Sequence, residues 1–295
     1  MSESGSARIA DPGEADRSVP DDFRNDVEIQ LFGLQRSGNH AVVAWILQQF
    51  DRPNVFLNNV AHFEDPYLNF RFADIANAVP LRRPNDEASL ARIEKLRLAP
   101  KELLLISYEN LMLPRIARGE LIAERWVGQS KHVNRVLIFR DFYNWIASRV
   151  RLFEKKGFAT ADLSRAIVPH IKLWIVYAKE FAGETSFLGS RGVVLLSFNS
   201  WFSDEAYRAD VLARLRVPLK DNSRAHVPNV GGGSSFDEIR FSGEAQSMDL
   251  LDRWIHLEEP RYGAVLDVLD GYAETIDRYN SLIFGLANPF LQSRR

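Results

Sequence analysis

The sequence of 295 residues contains no cysteine. That excludes disulfides, thiolate nucleophiles and cysteine-ligated zinc or iron–sulfur centres. It also lacks an excess of charge of either sign. Lys and Arg number 37 against 39 Asp and Glu, for a formal net charge of −2. A dedicated nucleic-acid binder carries a basic surplus, so any anion site here must be local. Long apolar runs are missing too: Ala41 to Leu47, the apolar stretch of the first expected helix, falls far short of the ~20 residues that span a bilayer. Residues 1–24 are rich in Ser, Gly, Asp, Glu and Pro and have no apolar segment, so they resemble neither a secretory signal nor a membrane anchor. A soluble cytoplasmic protein with no membrane or nucleic-acid partner is the expectation.

What is present is ordinary globular composition, with 46% apolar and 26% charged residues, enough for a sizeable core. Residues 1–25 have too little apolar surface to offset ordering entropy and read as a disordered leader. Residues 26–295 read as one α/β domain. Short, nearly continuous apolar runs mark buried strands at Val27 to Phe32, Val55 to Leu57, Leu103 to Tyr108, Val136 to Phe139 and Val193 to Leu196. Helical stretches alternate with them, roughly at 88–97, 142–156, 163–181 and 204–215. This alternation predicts a parallel central sheet, doubly wound in three layers, with a helical C-terminal region over 247–286. Ligands of such sheets bind outside the carboxyl ends of the strands. The tryptophans Trp45, Trp145, Trp174 and Trp254 fall inside apolar helices and read as core.

The first strand breaks into Gly33-Leu34-Gln35-Arg36-Ser37-Gly38-Asn39-His40 before the first helix. Glycines at GxxxxG spacing between a strand and a helix place backbone N–H groups and a helix N-terminus around an anionic oxygen cluster. The bland alternative is a glycine turn that only joins two elements. The Lys-Ser/Thr pair that completes a nucleoside-triphosphate loop is replaced by Asn39-His40, and the cation has moved into the loop as Arg36.

Gln35 to His40 resembles the 5′-phosphosulfate loop of sulfotransferases that use 3′-phosphoadenosine 5′-phosphosulfate (PAPS), with Gln35 in place of the usual Pro and Asn39-His40 in place of a Thr pair. The aromatic that follows that pair in the family is Ala41 here. A second segment is similar to the family's 3′-phosphate motif: Arg140 closes a buried strand and Ser148 follows eight residues later, two turns into the next helix. Taken alone, Arg140-Asp141 reads first as a local ion pair at a helix start, with Asp141 as an N-cap and Ser148 facing solvent; it is the chain order with the first loop that favours the resemblance. A third segment, Gly231 to Ser235 flanked by Arg224 and Arg240, lies where the family's nucleotide-covering loop lies, although it lacks an Arg-Lys pair and equally suits a surface loop.

The resemblance implies a P-loop-like fold and a metal-independent enzyme. It would move a sulfuryl group from PAPS to a hydroxyl or amine acceptor, carbohydrate being weakly preferred, and release adenosine 3′,5′-bisphosphate (PAP). It implies that Arg36, Ser37, Gly38, Asn39 and His40 hold the phosphosulfate, with Arg36 also catalytic. Arg140 and Ser148 would hold the 3′-phosphate, and Gly232, Gly233, Ser234 and Ser235 would cover it. The acceptor needs a base, for which His62 and Glu64 after the second strand are candidates. Two other readings stay open: a P-loop kinase or hydrolase, and a non-catalytic nucleotide- or glycan-binding protein on the same fold.

Overall fold

The computed structural model describes residues 23–51, 53–61, 64–75, 81–118, 124–189, 192–223, 236, 244 and 247–293. The leader read over 1–25 lies outside them except for Phe23 to Asn25, which open the first strand. The strands are β1 (Phe23–Gly33), β2 (Asn54–Asn58), β3 (Phe72–Ile75), β4 (Leu81–Arg82), β5 (Lys101–Glu109), β6 (Gln129–Phe139) and β7 (Val193–Ser197). The helices are α1 (Asn39–Leu47), α2 (Glu87–Leu98), α3 (Glu124–Val127), α4 (Phe142–Lys155), α5 (Thr160–Phe181), α6 (Phe198–Ser203), α7 (Glu205–Leu215), α8 (Gly263–Asp270), α9 (Ala273–Phe284) and α10 (Phe290–Ser293). They make one sheet in the order β4-β3-β2-β5-β1-β6-β7.

Five of these strands, β2-β5-β1-β6-β7, run parallel, while β3 and β4 add an antiparallel edge beside β2. The centre of the sheet is therefore parallel as expected, and the antiparallel edge makes the whole sheet mixed. The edge escapes a sequence reading because its strands, of four and two residues, are too short to show a period.

Alternation along each strand sorts the core into two clusters. Ile29, Leu31, Leu103, Leu105, Val136 and Ile138 pack with residues of α1, α6 and α7. Their neighbours Phe32, Leu104, Ile106, Leu137 and Phe139 pack with α4, α5, α8 and α9. The division follows from right-handed crossovers. The chain leaves β1 for β2 in one direction, which puts α1 on one face; it then moves the other way through β5, β6 and β7, which puts α4 and α5 on the opposite face. The direction reverses beside β1, so the β1–α1 turn lies at a switch point where ligands bind. Trp45, Trp145 and Trp174 are all fully buried, as their setting in apolar helices required.

The start of α4 is the most heavily tied end. Asp141 caps it, accepting from Asn144 N at 3.0 Å, Asn144 Nδ2 at 3.0 Å and Asn199 Nδ2 at 2.9 Å. Asp141→Ala should therefore cost about 2 kcal/mol, the upper end for a lost cap. A shift in the urea midpoint measures it, and an unchanged midpoint would contradict this account. No helix among the described residues is long and apolar enough to cross a membrane.

Candidate active site

The carboxyl ends of β1, β2, β5, β6 and β7 deliver Gly33, Asn58, Glu109, Arg140 and Phe198 to one edge of the sheet. Strain concentrates there. Arg36 (φ +77°), Asn59 (φ +49°) and Asn110 (φ +57°), all non-glycine residues with left-handed backbones, follow β1, β2 and β5. Such conformations persist only where neighbours over-determine them.

The glycines of the β1–α1 loop are required by close approach. A Cβ on Gly33 would stand 2.2 Å from Asn39 Oδ1, and one on Gly38 (φ +89°) would stand 2.0 Å from the Phe198 ring. Ser37 N donates to Leu34 O at 3.0 Å, and Ala41 N and Val42 N donate to Gly38 O, so α1 begins directly on Gly38. The Ser37 hydroxyl is fully buried and has no hydrogen-bond partner among the described residues, which leaves it an unused donor inside the loop.

The remaining loop residues are spent on holding the loop shut. Asn39 Nδ2 donates to Leu34 O at 3.2 Å and lies 3.4 Å from Glu109 Oε1. His40 Nε2 lies 3.1 Å from Asn58 Oδ1, which also accepts from Ser107 Oγ. That arrangement suits the Nε2–H tautomer.

Arg140 is 2% exposed. Its Nη1 donates to Arg36 O at 3.4 Å, its Nη2 donates to Leu250 O, and its guanidinium stands 5.1 Å from the Phe198 ring centre. Its Nε has no partner among the described residues. Burial pulls its pKa down to about 10, against an opposing pull from Asp141 and a further lowering by Arg36. Arg36 is also lowered by burial, and Glu109 raises it. Two guanidiniums thus share a poorly solvated pocket, an arrangement that an anion would relieve.

Ser148 is fully buried on α4, donating to Asn144 O at 2.9 Å and accepting from Arg253 Nη1 at 3.4 Å. The structure sets the Ser148 hydroxyl beside Arg253, and a strap over 250–254 ties α4 to Arg140. Leu250 O takes Arg140, Leu251 O takes Asn144 Nδ2 at 2.7 Å, Arg253 takes Ser148, and Trp254 N donates to Asn144 Oδ1 at 3.2 Å. Arg253 stands 4.9 Å from the Phe236 ring centre, and Phe236 stacks on His256 at 4.4 Å. Beyond them a cavity of about 270 Å³ opens between α4 and Tyr262.

Of the proposed bases, His62 lies outside the described residues, as do Gly232, Gly233, Ser234 and Ser235. Glu64 is exposed. The carboxylate that the fold does bring to the loop is Glu109, paired in register with Gly33 and felt by both Arg36 and Arg149. Its position ending a buried strand beside the glycine loop was the available signal. Arg253 had none, because nothing in its local sequence points to α4. Among the described residues no group of three or more His, Asp or Glu could hold a metal ion.

His170 of α5 touches the site through Arg149. Burial first, then Arg149 and Lys156, pull its pKa from 6.5 down to about 4. Between those values the unfolded chain binds a proton that the folded ring refuses. Stability should therefore fall as pH drops from about 6.5 to about 4, and this contribution levels off below. Urea midpoints across that range should slope less steeply in His170→Gln; an equal slope would exclude His170 as the source.

No family model matches the sequence, and no curated protein matches it. Solved structures do match. Mouse sulfotransferase SULT7A1 complexed with PAP is 10% identical, with 86% of this chain and 84% of that chain covered and a TM-score of 0.48. The sulfotransferase domain of the Synechococcus PCC 7002 olefin synthase is 13% identical, covering 86% and 97%, with a TM-score of 0.44. A sulfotransferase from Alicyclobacillus acidocaldarius is 15% identical, covering 91% and 99%, with a TM-score of 0.42.

Proposed function

We propose that the chain is a sulfotransferase, with PAPS as donor, on a P-loop-like doubly wound fold. The observation that carries this reading is the juxtaposition of the buried Arg140 guanidinium and the half-buried Arg36 around a glycine loop with an unused Ser37 hydroxyl. The unpartnered Ser37 hydroxyl and Arg140 Nε, with the two positive charges beside them, fit the oxygens of a phosphosulfate. Arg36 and the loop N–H groups hold the sulfonate end and neutralise charge that builds on the bridging oxygen as the S–O bond breaks. Arg140, with Arg253 and Ser148 behind it, takes the 3′-phosphate in exchange for the carbonyl of Leu250. Glu109 takes the acceptor's proton, and the acceptor oxygen or nitrogen forms the new bond to sulfur in line with the departing PAP. The acceptor is a hydroxyl or amine compound, carbohydrate being the weak preference, and the reaction is metal-independent.

Calorimetric titration with PAP, and with ATP with and without Mg²⁺, tests the donor site. Metal-independent binding of PAP is expected. A ligand at 100 times its Kd would also add about 2.7 kcal/mol of stability and raise Tm. Binding of Mg·ATP alone would replace this reading by the kinase one. Glu109→Gln should lower transfer from labelled PAPS by roughly 10²–10⁴-fold while PAP affinity stays put; undiminished transfer would remove Glu109 from this role.

A further inference from the structure

The loop that carries Arg36 is gripped from the α4 side by contacts that no donor phosphate requires. Gln35 is the point of attachment. Its N–H donates to Asn110 Oδ1 at 2.9 Å, its carbonyl accepts from Trp145 Nε1 at 3.0 Å, and its side-chain Oε1 accepts from Arg149 Nη1 at 2.6 Å. The other arm of Arg149 reaches the His170 ring, with Nη2 at 3.0 and 3.2 Å from the two ring nitrogens. The guanidinium also stands 5.0 Å from the Phe153 ring centre.

Arg149 is 2% exposed, and no carboxylate among the described residues lies within ion-pair distance of it. A buried cation whose direct contacts are all neutral, with the Glu109 carboxylate acting only from beyond ion-pair distance, costs folding free energy that an apolar side chain of the same size would not. Fold stability is therefore a poor reason for an arginine here. The residue it holds immediately precedes Arg36, whose φ of +77° an L side chain keeps only under constraint.

We propose that Arg149 is a positioning residue: its forked guanidinium, braced on His170, clamps Gln35 so that Arg36 is held in its left-handed conformation facing the donor. This rests on the reading that the loop holds the phosphosulfate of PAPS. The fork is essential to it, because one group must serve Gln35 and His170 at once, and a lysine presents a single point.

The test is a double-mutant cycle read by PAP affinity, with Tm recorded for every variant. Arg149→Met and Gln35→Met should each weaken PAP about tenfold, and the double variant should be no weaker than either, because both remove one link. Arg149→Lys should stay weakened. Three results would overturn the proposal: unchanged PAP affinity in Arg149→Met, multiplicative losses in the double variant, or full affinity in Arg149→Lys, which would make charge the cause rather than clamping. Gln35→Met, at a half-buried loop position, carries the first arm alone if Arg149→Met does not fold. Failure of the wild type to bind PAP is a distinct outcome; it sinks the donor reading and the clamp with it.

Discussion

Arg140→Met should abolish tight PAP binding while leaving the protein folded. A forked, charge-assisted contact to a phosphate contributes about 3 kcal/mol, so the loss is about a hundredfold in Kd. Stability moves differently. The folded protein bears the cost of burying this cation, seen in its pKa of about 10, and methionine removes that cost while filling most of the volume. The lost bond to Leu250 O and the contact with Phe198 offset the gain, so Tm should change little. Calorimetry and a melting curve on one preparation separate the two effects. Undiminished affinity would mean that the guanidinium serves only to hold the 250–254 strap.

Gly38→Ala should combine two penalties, a left-handed backbone and the closest Cβ approach among the described glycines. The left-handed backbone costs an L residue about 1–2 kcal/mol, and the new Cβ would stand 2.0 Å from the Phe198 ring, overlap that costs about 1–3 kcal/mol more. Gly157 supplies the control. It has a similar φ of +84° but nothing within 4 Å of its Cβ position. Gly157→Ala should therefore lose only the backbone share, about 1–2 kcal/mol. Urea unfolding of the pair reads the difference directly. Equal losses would show that the ring yields freely and that Phe198 does not constrain the loop. Because Phe198 also lies against Arg140, displacement of the ring in Gly38→Ala should weaken PAP as well.

The parts of this fold that were legible in sequence are those written in neighbouring residues. Val27 to Phe32, a glycine break and an apolar helix announce the β1–α1 turn, because strand, turn and helix each leave a local mark. Arg140 was legible for the same reason: a buried strand that ends on a cation at the ligand edge is a short-range pattern. Asp141 was read as a helix cap in the alternative view of this segment, and it is one. Its partnership with Asn199 is long-range and left no trace. Glu109 has no local mark beyond ending a strand, since its importance comes from the register that sets it opposite Gly33. Arg149 and Arg253 could not be found at all, because their partners lie 114 and 105 residues away in the chain. Ser148 meets the same limit: its contact with Arg253 spans 105 residues and leaves no local mark.

The strap over 250–254 has a consequence for the order in which the molecule is made. Arg140 and Leu250 are 110 residues apart. During synthesis, β1, its loop, β6 and the whole of α4 leave the ribosome well before the strap does. Until residue 254 emerges, the nascent sheet carries an arginine and an α4 face with nothing laid across them. At about 5–20 residues per second, that interval lasts on the order of 5–20 s. The contacts around Arg140 thus close late in synthesis, with only α8, α9 and α10 still to follow, and a chain stalled in that interval lacks the groups that Leu250, Leu251 and Arg253 lay across α4.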